Sequence, residues 1–94
     1  MTSPPVLVVV RTRDPHRQAE ALRAALGLTL RGSPVEVAIE VAIDASGELD
    51  AALATPLARR AADTLRSFGH PVGALSGDAL AAALARAGRV EVWT

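Results

Sequence analysis

The chain has 94 residues, half of them hydrophobic, no cysteine, and ten basic residues that balance ten acidic ones at a formal net charge of zero. A chain of this length is expected to form a single domain over residues 1–94. The balanced charge, with no block of like charge, argues against binding to nucleic acid or an anionic membrane. The lack of cysteine excludes disulfides, thiolate metal sites and thiol-based sulfurtransferase catalysis.

The N-terminal residues and the hydropathy give two further expectations. The first residues lack the pattern of a signal peptide, and no apolar run approaches the roughly 18 residues of a membrane span, so we expect a cytoplasmic protein. The mean hydropathy is +0.28. A fold so small and so apolar should leave a patch of Val, Leu and Ala on its surface, and such a patch usually marks an interface. We therefore expect an oligomer.

The first two predicted elements are a buried strand and a helix. Residues 6–10 are five apolar residues in a row, which is typical of a strand buried on both faces. Asp14 followed by Pro15 predicts the start of a helix, and Gly32 predicts its end. Gly27, inside this helix, is expected to lie where the helix backbone passes close to a strand. The residues expected to face the sheet are Ala19, Leu22, Leu26 and Leu30.

The middle of the chain predicts a half-buried strand and a second helix. Residues 35–43 alternate strictly, with Glu36 and Glu40 on the face opposite the large apolar side chains. These carboxylates indicate either an edge strand or a face covered by a polar partner. A loop is predicted at 44–50. Thr55 and Pro56 then start a helix that ends near Gly69, with a predicted buried stripe of Leu57, Ala61, Leu65 and Phe68.

The last third of the chain predicts a short strand at 72–75, a third helix that starts at 76–78 and ends at Gly88, and a final strand at 90–93. The inward residues of the third helix are expected to be Leu80, Leu84 and Ala87. Strands that alternate with helices through short connections imply parallel pairing. We therefore predict a small open α/β sheet with helices on both faces, a central first strand and the strand order 2-1-3-4.

In such a sheet, ligands bind beyond the carboxyl ends of the strands. Arginines beside a helix N-terminus could hold a small anion there, although arginine in a surface loop is also ordinary. No nucleotide-binding glycine loop and no nucleophile elbow is present, so we assign no cofactor, no metal and no catalytic residue. The candidate ligand-binding residues are Arg11, Thr12, Arg13, His16 and Arg17 after the first strand, Asp44 after the second and Ser76 after the third.

Three residues are candidates for an interface. Trp93 is the one large amphipathic side chain, and it serves either as the last core residue or as an interface anchor. Glu36 and Glu40 are interface candidates because they lie on the predicted polar face of the second strand.

The chain resembles the DsrE-like sulfur-relay family, which includes the DsrE, DsrF, DsrH and Tus subunits. The resemblance rests on residues 6–10, 19–32, the segment from Val35 onward, and 89–93. It implies a parallel sheet with helices on both faces, assembly into rings or hexamers, and in active members a cysteine that carries persulfide sulfur. The closest counterpart of that cysteine here is around 74–76, where no thiol is present, and a serine cannot replace it in persulfide transfer. The alternative is that this short chain lacks the whole cysteine-bearing segment.

Two functions from different classes follow. The first is a non-catalytic, cysteine-free DsrE-like subunit that acts through contacts in a homo-oligomer or with related subunits, in sulfur relay. The second is a domain that binds a small ligand or anion in the crevice at the strand ends.

Overall fold

A computed structural model describes residues 4–41 and 52–94 of the chain. The predicted loop at 44–50, the candidate Asp44 and the end of the predicted strand at 42–43 lie outside the described residues. The strands are β1 (Val6–Val10), β2 (Val35–Glu40), β3 (Val72–Leu75) and β4 (Arg89–Trp93). The helices are α1 (Pro15–Leu30), α2 (Pro56–Ser67) and α3 (Gly77–Arg86).

The four strands form one parallel sheet in the order β3-β2-β1-β4. The predicted α/β class, the parallel pairing, the helices on both faces and the internal position of β1 beside β2 are confirmed. The order differs from the predicted 2-1-3-4 in the place of β3, which pairs with β2 while β4 takes the position next to β1.

The connections explain this arrangement. The chain moves across the sheet in one direction from β1 to β2 to β3, and then returns past β2 and β1 to reach β4. Because each crossover is right-handed, a reversal of direction places its helix on the opposite face. Thus α1 and α2 cover one face and α3 covers the other. Hydrophobic periodicity indicates that a strand exists, but it does not indicate in which direction the next crossover runs.

Each face of the sheet has its own core. The larger core lies between the helices α1 and α2 and one face of β1, β2 and β3. Val8, Val37 and Ile39 are buried beneath these helices. The smaller core is Leu7, Val9 and Ala38 packed against Ala83 of α3. One helix therefore covers a face that in many doubly wound sheets is covered by two.

The helices face the sheet with alanines more than with their largest apolar residues. Leu30 and Phe68, both predicted to be buried, are 89% and 73% exposed, and Leu57 and Leu84 are about half exposed. The fully or almost fully buried helix positions include Ala21, Leu22, Ala25, Ala58, Ala62, Leu65 and Ala83. Small side chains allow α1 and α2 to lie close to each other and to the strands. The predicted stripes are confirmed at Leu22, Ala61 and Leu65, and they are wrong at Leu30, Leu57, Phe68 and Leu84.

Local signals at the helix ends are mostly confirmed. The Asp14 carboxylate accepts the backbone N–H groups of His16 and Arg17, and Gly32 and Gly69 have φ of 82° and 85° after α1 and α2. The prediction for Gly27 is wrong, because a Cβ there would have nothing within 4 Å. None of the helices in the described ranges has the length and apolarity needed to cross a membrane.

Candidate functional site

The direction of the chain across the sheet reverses between β1 and β4, which is where ligands bind in open α/β sheets. The loop after β1 lies directly against the end of β4. The backbone N–H groups of Arg11 and Thr12 both donate to the carbonyl of Trp93, at 2.8 and 3.1 Å. The crevice at this point is therefore bordered by residues 11–17, which we name the arginine loop, and by the end of the last strand.

Most of the arginine charge in this loop is already used within the chain. Arg11 forms an ion pair with Glu40. The Nε of Arg17 donates to the Thr94 carbonyl at 2.8 Å, and the Arg17 guanidinium lies 5.6 Å from the centre of the Trp93 ring. Trp93 is half-buried against the larger core. Through these two contacts, Arg17 connects the start of α1 to the end of β4.

One predicted arginine in the loop has no such partner. Arg13 is exposed and forms no ion pair within residues 4–41 and 52–94. It borders a shallow pocket of about 240 Å³ with Arg11, Glu40 and Val41. The first N–H groups of α1 already bind Asp14, and Glu40 neutralises Arg11, so this pocket offers an anion little beyond the guanidinium of Arg13.

The structure does not bring the other predicted ligand-binding residues together at this pocket. His16 is exposed, and its backbone N–H is used by the Asp14 cap. Ser76 follows β3 at the edge of the sheet, and β2 lies between that strand and β1. Two strand spacings are about 10 Å, so Ser76 lies away from the arginine loop. No group of three or more His, Asp or Glu side chains among the described residues is arranged to hold a metal ion.

The two predicted interface glutamates have partners inside the chain. Arg86 of α3 donates to both carboxylate oxygens of Glu36 at 2.9 and 3.3 Å, and the Glu36 side chain is 12% exposed. Glu40 is the partner of Arg11. The sequence indicates either an edge strand or a face covered by a polar partner. The second explanation is correct, because β2 is an internal strand and Arg86 of α3 lies over its polar face.

A different surface carries unpartnered apolar residues. Leu84 of α3 and Val90 and Val92 of β4 are 44%, 41% and 53% exposed, and we name these three residues the β4 strip. A groove of about 300 Å³ runs along it, lined by Val9, Leu80, Leu84 and Val92, with Arg11 and Glu40 at one end. The strip is exposed because α3 packs over β1 and β2 and leaves this face of β4 uncovered.

β4 also lies at the edge of the sheet, paired with β1 alone in the part of the chain that the structure describes. The sequence predicts an exposed patch of Val, Leu and Ala, but sequence reasoning did not locate it at β4. The available signal was the alternation of Val90 and Val92 with the charged Arg89 and Glu91, which is typical of a strand with two unlike faces.

Fold and surface together define a small α/β protein with an open parallel sheet, a largely satisfied strand-end crevice and an apolar strip beside an open strand edge. Comparisons of the chain with protein families, with curated proteins and with solved structures find no match.

Proposed function

We propose that this chain is a non-catalytic subunit that acts by assembly, with copies of itself or with related chains, through the β4 strip and the adjoining edge of β4. The observation that supports this proposal is the coincidence of exposed apolar side chains and an open strand edge at one place. An open edge presents unpaired backbone groups that favour pairing with another chain. Apolar side chains beside it add surface that is better removed from water.

The resemblance to the DsrE-like family extends the proposal to a process. A chain without cysteine would serve as the structural member of a cytoplasmic sulfur-relay complex, and a cysteine-bearing subunit would supply the thiolate that carries sulfur. This extension rests on the resemblance, whereas the assembly surface rests on the exposure of the β4 strip.

The test is native mass spectrometry of the protein purified gently from its own host, beside two matched variants. Val92→Lys places a charge on the β4 strip, and Leu30→Lys places the same charge on an exposed leucine at the far end of α1. We expect an oligomer for the wild type and for Leu30→Lys, and its loss in Val92→Lys. A wild-type protein that is a monomer without a retained subunit would contradict assembly, and a cysteine-bearing subunit in the complex would support sulfur relay.

The second candidate function is the binding of a small anion at Arg13. The observation in its favour is that this guanidinium is exposed, unpaired in the described ranges and beside a pocket at the switch point of the sheet. Phosphate titration followed by thermal unfolding tests it, with Arg13→Ala compared with Arg23→Ala on the outer face of α1. Binding at the crevice predicts that phosphate raises the Tm of the wild type and of Arg23→Ala but not of Arg13→Ala. Equal shifts in all three proteins would contradict it.

A further inference from the structure

The geometry of β4 points to its partner, and we infer that β4 pairs antiparallel with β4 of a second copy about a two-fold axis at Val90. This inference rests on the proposed assembly function and makes it specific. The contact would join two four-stranded sheets into one continuous eight-stranded sheet, with Arg89 of each copy opposite Glu91 of the other.

The backbone groups available for pairing are those of Val90, at the centre of the contact; Gly88, which would lie opposite Val92, already donates its N–H to the Pro5 carbonyl at 2.9 Å. In a parallel pair, the N–H and C=O of alternate residues point toward the neighbouring strand. The Trp93 carbonyl accepts from the N–H of Arg11, the residue that follows β1, so the backbone groups of Trp93, Glu91 and Arg89 point toward β1. The groups of Val90 and Val92 therefore point outward. In an antiparallel pair centred on Val90, the two copies of Val90 exchange both hydrogen bonds.

The charges of Arg89 and Glu91 favour one register of the β4 pair over the others. Two copies of one strand can pair with their faces matched when the axis passes through residue 90, 91 or 92. An axis at Glu91 places two glutamates directly opposite each other, which is destabilising. An axis at Val92 places Glu91 opposite Trp93. Only the axis at Val90 places Arg89 opposite Glu91, and it does so twice by symmetry.

The same register brings the charged side chains close together. The pair of Val90 residues is hydrogen-bonded, so the flanking pairs of Arg89 with Glu91 are the non-hydrogen-bonded pairs, in which opposite side chains are closest. Within one chain, Arg89 Nη2 and Glu91 Oε2 are already 3.6 Å apart, and their side chains are 66% and 33% exposed. Pairing would complete a ring of four alternating charges on the α1 face of the sheet. On the α3 face it would bring the two β4 strips together.

Charge reversal gives a sharp test, because both residues lie on the surface and their replacement leaves both cores intact. Arg89→Glu gives each copy two acidic residues at the contact, and Glu91→Arg gives each copy two basic residues. We expect each single variant to weaken dimerisation about tenfold or more. The double variant R89E/E91R restores opposite charges across the axis and should dimerise as the wild type does. A mixture of the two single variants should form the heterodimer.

The measurement is light scattering after size-exclusion chromatography at low ionic strength, with circular dichroism as the check on folding. If the wild type is a dimer and both single variants and their mixture remain dimers of unchanged affinity, the register at Val90 is overturned while assembly stands. If Val92→Lys also leaves that dimer intact, the proposed surface fails with it. A wild type that is a monomer at high concentration overturns pairing with a second copy, and assembly with a different subunit is then decided by native mass spectrometry from the host.

Discussion

Gln18 is the buried polar residue that holds the loop after β1 in place. It lies on α1, is 2% exposed, and uses its whole amide. Nε2 donates to the carbonyls of Thr12 and Ala52 at 3.1 and 3.2 Å, and Oε1 accepts from the N–H of Ala54 at 2.9 Å. One side chain thus ties the arginine loop to the segment that leads into α2. A sequence pattern does not reveal such a residue, because Gln on a helix is usually exposed.

Replacement of Gln18 by leucine should therefore destabilise the fold despite the similar size of the side chain. The substitution leaves three backbone groups without their partner, and we expect a loss of about 2 kcal/mol in the free energy of unfolding. Ser67→Ala is the control, because the Ser67 hydroxyl bonds the Thr64 carbonyl on an exposed part of α2. Its effect should stay within about 0.5 kcal/mol. Urea unfolding measures both, and equal values would show that the amide of Gln18 contributes little.

Two glycines should respond to alanine with opposite signs. Gly27 is an exposed helix residue with nothing within 4 Å of the Cβ position, so Gly27→Ala should stabilise the protein by about 0.5 to 1 kcal/mol. At Gly88 a Cβ would lie 3.0 Å from Cβ of the exposed Pro4, so Gly88→Ala should be destabilising by about 0.5 kcal/mol, because Pro4 must shift to make room. Thermal unfolding of the two variants compares them directly. A stabilising Gly88→Ala would mean that the N-terminal segment moves away at little cost.

At the scale of elements, the three helices differ in how their first turns are capped. Asp14 and Thr55 accept backbone N–H groups at the starts of α1 and α2, whereas the Ser76 side chain makes no cap hydrogen bond at the start of α3. The sequence predicts all three starts equally well. The side-chain conformation that decides whether a cap hydrogen bond forms depends on the neighbouring fold, and at α3 the first residue, Gly77, has a φ of 51°.

The caps give a prediction at this scale. Asp14→Ala should cost about 1 kcal/mol of stability, because two N–H groups lose their acceptor, while Ser76→Ala should change it by no more than about 0.5 kcal/mol. Chemical unfolding monitored by circular dichroism provides the comparison. A loss at Ser76 as large as that at Asp14 would mean that the serine hydroxyl caps α3 in solution.

Helix orientation was the least predictable feature of the elements. Helix bounds agree with the sequence because caps, prolines and glycines act locally. The buried face does not follow from hydrophobicity alone, since an alanine at a crossing of two helices is preferred for its small volume. Phe68 illustrates this: it fits the spacing of an inward stripe, yet it lies just beyond the last turn of α2 with 73% of its surface exposed.

At the scale of the whole molecule, the strand order changed the site more than any single residue did. With β4 beside β1, the arginine loop meets Trp93 and Thr94, and Ser76 moves to the far side of the sheet. The arginine loop could be predicted from sequence as the content of the strand-end crevice. The ion pair of Arg11 with Glu40 and the hydrogen bond of Arg17 to the Thr94 carbonyl could not be predicted, because those partners are 29 and 77 positions away along the chain.

The same arrangement leaves β4 at an edge, and the proposed pairing through that edge would make stability depend on protein concentration. If two copies pair through β4, the native dimer dissociates when it unfolds, so the Tm rises with concentration. For a fully dimeric native state, a hundredfold rise adds about 1.4 kcal/mol per protomer, or roughly 5 to 10 °C for a domain of this size. Calorimetry over concentrations that span the dissociation of the dimer should show that rise for the wild type and for R89E/E91R, and a smaller rise for Arg89→Glu, because its dimer is weaker. A constant Tm for all three proteins would mean that the edge of β4 stays unpaired in solution, and an equal rise in all three would mean that another surface forms the dimer.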